Sequence, residues 1–246
     1  RTAHALASAI ERGGHARGAA VVLDVETGDV LASVSYPMPD ASANGLVRVT
    51  PSDASTDGAR AADALLDRVR YGLYPPGSTF KLLVAAAALR SRPEVQTVPH
   101  LCVRLPDGRV GHEIRGWSRP VRDDVMDTVP HGAVDLHKGL VVSCNAYFAQ
   151  LAMQLGPRPI LDAVSTFQID VARPATAERL RDTLPHAGYG QGEVLVSPLK
   201  MARVVASIAG GGLALPARWT LEDDVAPGDA PRFLAESDAA RLARDM

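Results

Sequence analysis

The sequence has little charge imbalance, little cysteine, little lysine and no long apolar run, and each shortage removes a class of protein. Acidic and basic side chains are interspersed over 246 residues and leave a formal net charge of −2, so electrostatics gives no argument for a nucleic-acid partner. No apolar run approaches the roughly 20 residues needed to cross a bilayer. The two cysteines, Cys102 and Cys144, stand far apart without metal-ligand spacing, and the histidines are scattered singly, so no metal site is read. Two free thiols are preferred over a disulfide, because Cys144 falls where a helix should pack and cysteine commonly serves as a small buried apolar residue. Neither an initiator methionine nor a signal peptide is visible; the chain opens Arg1-Thr-Ala-His and reads as a piece of a longer polypeptide.

Against that background one stretch stands out, Tyr71-Gly-Leu-Tyr-Pro-Pro-Gly-Ser78-Thr-Phe-Lys81, followed by Leu82-Leu-Val-Ala-Ala-Ala-Ala-Leu89. Pro75, Pro76 and Gly77 set a turn, and the alanine-rich run predicts a buried helix that starts at Ser78 and ends near Arg90 to Pro93. Residues three apart share a helix face, so Lys81 can reach the Ser78 hydroxyl. Burial disfavours the ammonium form of a lysine and makes it a base near neutral pH. The helix start also offers free backbone N–H groups to an oxyanion or a carboxylate. Spacing alone does not decide the matter, because Ser197-Pro-Leu-Lys200 fits the same pattern. There Pro198 suits the first helical position and Ser197 reads as a cap.

The remaining chain divides into recognisable pieces. Thr2 to Arg12 reads as an amphipathic helix closed by Gly13-Gly14. Ala19–Asp24 and Val30–Ser35 read as an antiparallel hairpin turning at Gly28. Tyr36 to Gly58 is loop-like, and Asp63 to Arg70 reads as a short helix. Val95 to Val134 is too long for a structureless connection, so small strands are expected there, with a turn at Pro106-Asp-Gly108. Asp135–Val142, Asn145–Leu155, Pro159–Phe167 and Pro198–Ile208 read as helices, and Ser237–Arg244 as a capped one. Gly188-Tyr-Gly-Gln-Gly192 is too short to argue for a phosphate cradle.

Ser143 and Asn145 flank Cys144 at a junction of two helices. The hydroxyl could pass a proton, and the amide could offer a donor and an acceptor to a substrate amide; taken alone, the motif is read first as a helix cap supplied by Ser143 or Asn145. Ser42-Ala-Asn44 has the same spacing in a loop, which shows how little that spacing carries by itself.

Taken together, Leu66 to Lys81, His131-Gly132 with Val134-Asp-Leu, Ser143-Cys-Asn-Ala-Tyr-Phe148, and Gly188–Gly192 with Ser197–Ala202 resemble, in order, the motif regions of penicillin-binding transpeptidases of the monofunctional, class B-like type. The resemblance implies a single, partial α+β domain over 1–246, a mostly antiparallel sheet packed against a helical subdomain and incomplete at its C-terminus. Residues 1–35 would supply a helix and the first hairpin, 59–212 the helical part with the motifs, and 213–246 the lead-in to further strands. It also implies that Ser78 is the nucleophile of a serine acyl-enzyme, Lys81 its base or proton relay, Ser143 a proton shuttle and Asn145 a ligand of the substrate's amide. No metal and no organic cofactor are implied. The implied reaction is D,D-transpeptidation of peptidoglycan stem peptides, blocked covalently by β-lactams, at an extracytoplasmic site tethered to the membrane by a segment outside this chain. Candidate partners are a membrane glycan polymerase and proteins of the division or elongation complexes, with no nucleic acid among them.

Two departures from the family pattern matter. None of the three lysines, Lys81, Lys138 and Lys200, precedes Thr-Gly or Ser-Gly, so the Lys-Thr-Gly strand that completes the cleft is missing; truncation is the preferred reading over loss. Without that strand the 246 residues alone are expected to be inactive. Asp67 also stands before Arg68 where the family often has asparagine. The competing readings are a D-alanyl-D-alanine carboxypeptidase or a β-lactamase on the same scaffold, and a catalytically silent β-lactam sensor or scaffold.

Overall fold

The computed structural model describes residues 1–38, 63–220 and 229–246. The decoy Ser42-Ala-Asn44 and nearly all of the 36–58 loop lie outside the described residues. Helix α1 (Thr2–Arg12) packs on a hairpin of β1 (Gly18–Leu23) and β2 (Val30–Tyr36). Gly28 turns the hairpin at φ 77°, where a Cβ would stand 2.3 Å from the Pro216 carbonyl oxygen; glycine satisfies both conditions.

The second sheet lies in the region from which small strands were expected. Strands β3 (His100–Arg104), β4 (Val110–His112), β5 (Val121–Arg122) and β6 (Gly132–Val134) pair antiparallel in the order β5-β4-β3-β6. The Pro106-Asp-Gly108 turn joins β3 to β4, with Gly108 at φ 82°. The helical part comprises α2 (Lys81–Ser91), α3 (Leu136–Val141), α4 (Asn145–Leu155), α5 (Pro157–Ser165), α6 (Ala177–Arg181), α7 (Leu184–Ala187), α8 (Pro198–Ala209) and α9 (Glu236–Asp245). Sheet and helices give the α+β class expected.

Helix α2 is the centre of the core. Leu83 to Ala88 are essentially inaccessible to solvent, and the alanines let α4, α5, α8 and α9 approach it closely. Phe80, Tyr147, Phe148 and Leu151 complete the buried layer around its N-terminal half.

Three expectations need correction. Asp63 and Ala64 are helical, but the chain then leaves the helix and turns again over 68–71. The cause is Arg68, 1% exposed, whose guanidinium takes the Asp63 carbonyl at 2.7 Å and pairs with the Asp63 carboxylate. Its own N–H donates to Ser35 Oγ at 2.9 Å, fastening this segment to β2. The helix expected from Ser78 is α-helical only from Lys81; Gly77–Phe80 is a turn of 3-10 helix. The last helix begins at Glu236 after Ala235, without a side-chain cap, so Ser237 lies inside it.

Candidate active site

Two backbone contacts hold the nucleophile turn. Tyr74 and Val196 exchange a pair of hydrogen bonds, 3.0 and 2.9 Å, and the Gly77 N–H donates to the Gly190 carbonyl at 3.1 Å. Gly190 sits at φ 74°, and a Cβ there would lie 2.1 Å from the Gly77 oxygen. The Gly188–Gly192 bend therefore braces the serine turn by close backbone approach, the role for which glycine is suited. Ser78 emerges exposed from the 3-10 turn, whereas Lys81 is 2% exposed.

The second motif arrives on the other side. Helix α3, capped by Asp135, ends at Val142, and Ser143 adopts a left-handed backbone, φ 51°. This reversal leads directly into α4. Neither Ser143 nor Asn145 is the cap: Cys144 occupies that position, and its thiol sulfur accepts the Tyr147 N–H at 3.3 Å. With capping assigned to Cys144, the side chains on both sides are released toward Lys81.

All four residues expected at the site meet at one nitrogen. Lys81 Nζ lies 3.1 Å from Ser78 Oγ, 3.0 Å from Ser143 Oγ and 2.6 Å from Asn145 Oδ1, and it also donates to the Ser143 carbonyl. Four oxygens around one nitrogen exceed the three protons of an ammonium. A neutral amine fits differently: its two N–H groups go to the two obligate acceptors, the Asn145 amide oxygen and the Ser143 carbonyl. The lone pair then remains for a hydroxyl proton, from Ser78 or from Ser143. Burial lowers the Lys81 pKa to about 8, opposed by the negative charge of Asp123, with Cys144 and Asp127 adding to the opposition. The base is thus available close to neutrality.

Asn145 is fixed at both ends, since its Nδ2 also donates to the Arg122 carbonyl at 3.0 Å. One amide N–H remains for a substrate oxygen. Behind it Asp123, 3% exposed, accepts the backbone N–H of Asn145 and that of Ala146, the latter at 3.3 Å. Sequence reasoning missed Asp123. Its position just after a two-residue strand gave no signal beyond the acid itself.

Asp67, the departure noted before Arg68, accepts the Arg70 N–H at 3.1 Å and pairs with its Nε at 2.7 Å. The carboxylate is used locally, on the surface side of the turn. Cys102 and Cys144 are free and buried. Burial pushes the Cys102 thiol up to about 11 and raises Cys144 further, so neither is a nucleophile near neutral pH.

Residues 18–220 match the sequence model of the penicillin binding protein transpeptidase domain. The chain belongs to this family. It is 30% identical over 225 residues to the peptidoglycan D,D-transpeptidase PbpA of Mycolicibacterium smegmatis, a match covering 82% of this chain and 42% of that protein. It is 26% identical over 234 residues to FtsI of Escherichia coli K12, covering 86% of this chain and 34% of that protein. Among solved structures, the imipenem acyl-enzyme complex of M. tuberculosis penicillin-binding protein A superposes with a TM-score of 0.69 at 25% identity, over 94% of this chain and 57% of that one. Pseudomonas aeruginosa PBP2 in complex with WCK 5153 gives 0.71 at 25% identity, over 98% and 59%. The chain therefore spans less than half the length of these curated relatives. Among the described residues no helix is long and apolar enough to cross a membrane.

Proposed function

We propose that this chain forms the nucleophile side of a peptidoglycan D,D-transpeptidase active site, with Ser78 as the acylated residue. The observation that carries the reading is the placement of one buried lysine nitrogen within 3.1 Å of two hydroxyls and beside the Asn145 amide. Ser78 Oγ attacks the carbonyl carbon of the penultimate D-alanine of a stem peptide, and its proton passes to neutral Lys81. The bond to the terminal D-alanine breaks, and the leaving amine takes a proton through Ser143 Oγ. An amino group of a neighbouring stem then attacks the ester, its proton returns by the same route, and Ser78 is restored. Asn145 holds the acyl donor's amide with its remaining N–H. In a β-lactam the leaving amine stays tethered to the acyl group, so the ester persists.

The names of the relatives, peptidoglycan D,D-transpeptidases PbpA and FtsI, support this reaction over a hydrolytic one. The substrate places the site on the extracytoplasmic side of the membrane. These 246 residues form one partial domain on this reading, because they contain no Lys-Thr-Gly strand and so lack an oxyanion-hole donor that is typically worth about 10²–10³ in rate.

Intact mass after incubation with benzylpenicillin tests the proposal on the natural-length polypeptide. A single adduct that vanishes in Ser78→Ala is expected. An adduct that persists in that variant, or none in folded wild-type protein, would refute it.

A further inference from the structure

Behind the second motif, and outside the reaction just described, four ligand-type side chains converge. Cys102 comes from β3, Asp123 follows β5, His131 precedes β6, and Cys144 caps α4. Their donor atoms all lie within 4.8 Å of one another. Cys102 Sγ is 3.1 Å from Asp123 Oδ2 and 3.5 Å from His131 Nδ1, and Cys144 Sγ is 3.5 Å from the same Asp123 oxygen. His131 Nδ1 stands 3.7 Å from it. Around a tetrahedral Zn²⁺, bonds of about 2.0–2.3 Å set neighbouring donors roughly 3.3–3.8 Å apart. Four of the six edges are therefore at, or within a few tenths of an ångström of, that geometry.

We propose that Cys102, Asp123, His131 and Cys144 bind a structural Zn²⁺ that clamps the segment carrying Ser143 and Asn145. Two thiolates, one imidazole and one carboxylate form a donor set suited to zinc. Four protein ligands fill a tetrahedral shell and leave no position for substrate, which makes the metal structural. The surroundings fit the assignment. Asp127 Oδ1 faces the other ring nitrogen of His131 at 3.7 Å, the place where an outer carboxylate orients a metal-bound imidazole. Cys144 sits at the N-terminus of α4 with its sulfur already accepting the Tyr147 N–H at 3.3 Å. Asp123 coordinates through Oδ2 while Oδ1 keeps the N–H groups of Asn145 and Ala146.

Binding releases two thiol protons. Zn²⁺ with two thiolates and one carboxylate carries one net negative charge, as does the ionised aspartate beside two thiols, so the field on Lys81 is retained. What changes is stiffness: β3 and the 123–131 loop become tied to the middle residue of the Ser143-Cys-Asn145 motif.

The test uses the natural-length protein purified with a non-coordinating reductant and without chelator. One equivalent of zinc per chain is expected by elemental analysis. Replacement by Co²⁺ should give a sulfur-to-cobalt charge-transfer band and tetrahedral d–d bands, both lost in Cys102→Ser. His131→Ala is expected to lower the zinc content, and Asp127→Asn, which leaves all four ligands in place, to weaken zinc affinity by about 10–100-fold. Chelation should slow benzylpenicillin acylation, and added Zn²⁺ should restore it. Folded protein with well under one equivalent of zinc and no tetrahedral Co²⁺ spectrum would overturn the assignment. So would a Cys102–Cys144 disulfide as the isolated state, or cobalt bands unchanged in Cys102→Ser.

Discussion

Ser78-x-x-Lys81 and Ser197-x-x-Lys200 share a spacing and a position at the start of a helix, yet the chain uses them for opposite purposes. Ser197 has extended backbone angles, φ −82° and ψ 151°, so its hydroxyl folds back onto the Lys200 N–H at 3.4 Å and caps α8. Ser78 is already inside a 3-10 turn, and its hydroxyl meets Lys81 Nζ at 3.1 Å. The lysines differ as sharply. Lys200 reaches over the surface to the Gln168 carbonyl, while Lys81 is enclosed against the Phe148 ring, 5.8 Å from its centroid, and surrounded by side-chain acceptors. The backbone conformation of the serine and the burial of the lysine distinguish the two; the letters do not.

The comparison can be broken most directly by exchanging the lysines' fates. Lys81→Met should reduce the rate of β-lactam acylation by about 10²–10⁴-fold, the range for loss of a positioned base, while Lys200→Met leaves it within about twofold. Stopped-flow acylation with a fluorescent penicillin would read both, and equal losses would erase the distinction.

A second prediction concerns pH. With Lys81 acting as a base of pKa about 8, the acylation rate should rise with pH and reach half its plateau near that value. A rate flat between pH 6.5 and 9.5 would remove Lys81 from the proton path. The same shift has a stability consequence. Between about 8 and the ordinary lysine value of 10.5 the unfolded chain holds a proton on this lysine that the folded chain has released. Stability on this group's account therefore rises with pH across that window, and the cost of burying the ammonium is fully present below it. Denaturation at pH 7.5 and 9.5, wild type against Lys81→Met, isolates the contribution.

The smallest effect is expected at the other serine. Ser197→Ala removes a cap and should cost about 1 kcal/mol of stability without changing the acylation rate per folded molecule. Chemical denaturation and the same stopped-flow assay measure the two halves of that statement.

Most of the site was legible because its residues lie in two compact motifs with a strong local signal. Tyr-Pro-Pro-Gly fixes the turn before Ser78, and the Ala85–Ala88 run announces a helix packed closely on all sides. The hairpin and α4 followed from alternation and from Gly156 as a stop. What escaped depends on chain crossings. Cys102, Asp123, His131 and Cys144 come from one strand, the flanks of two others and a helix cap, and no local periodicity marks residues joined by sheet pairing. The break after Ala64 was hidden for a related reason: Arg68 ends that helix by seeking backbone carbonyls, whereas its type suits a helix.

The lysine at the centre has a consequence in entropy. A free lysine side chain samples many rotamers, and immobilising one costs up to about 2 kcal/mol. Here three side-chain oxygens, one carbonyl and an aromatic face already restrict Lys81 before any substrate is present. The disorder is lost once, when the chain folds, and not again at each turnover. A nitrogen that is already still when a peptide arrives needs only to exchange protons.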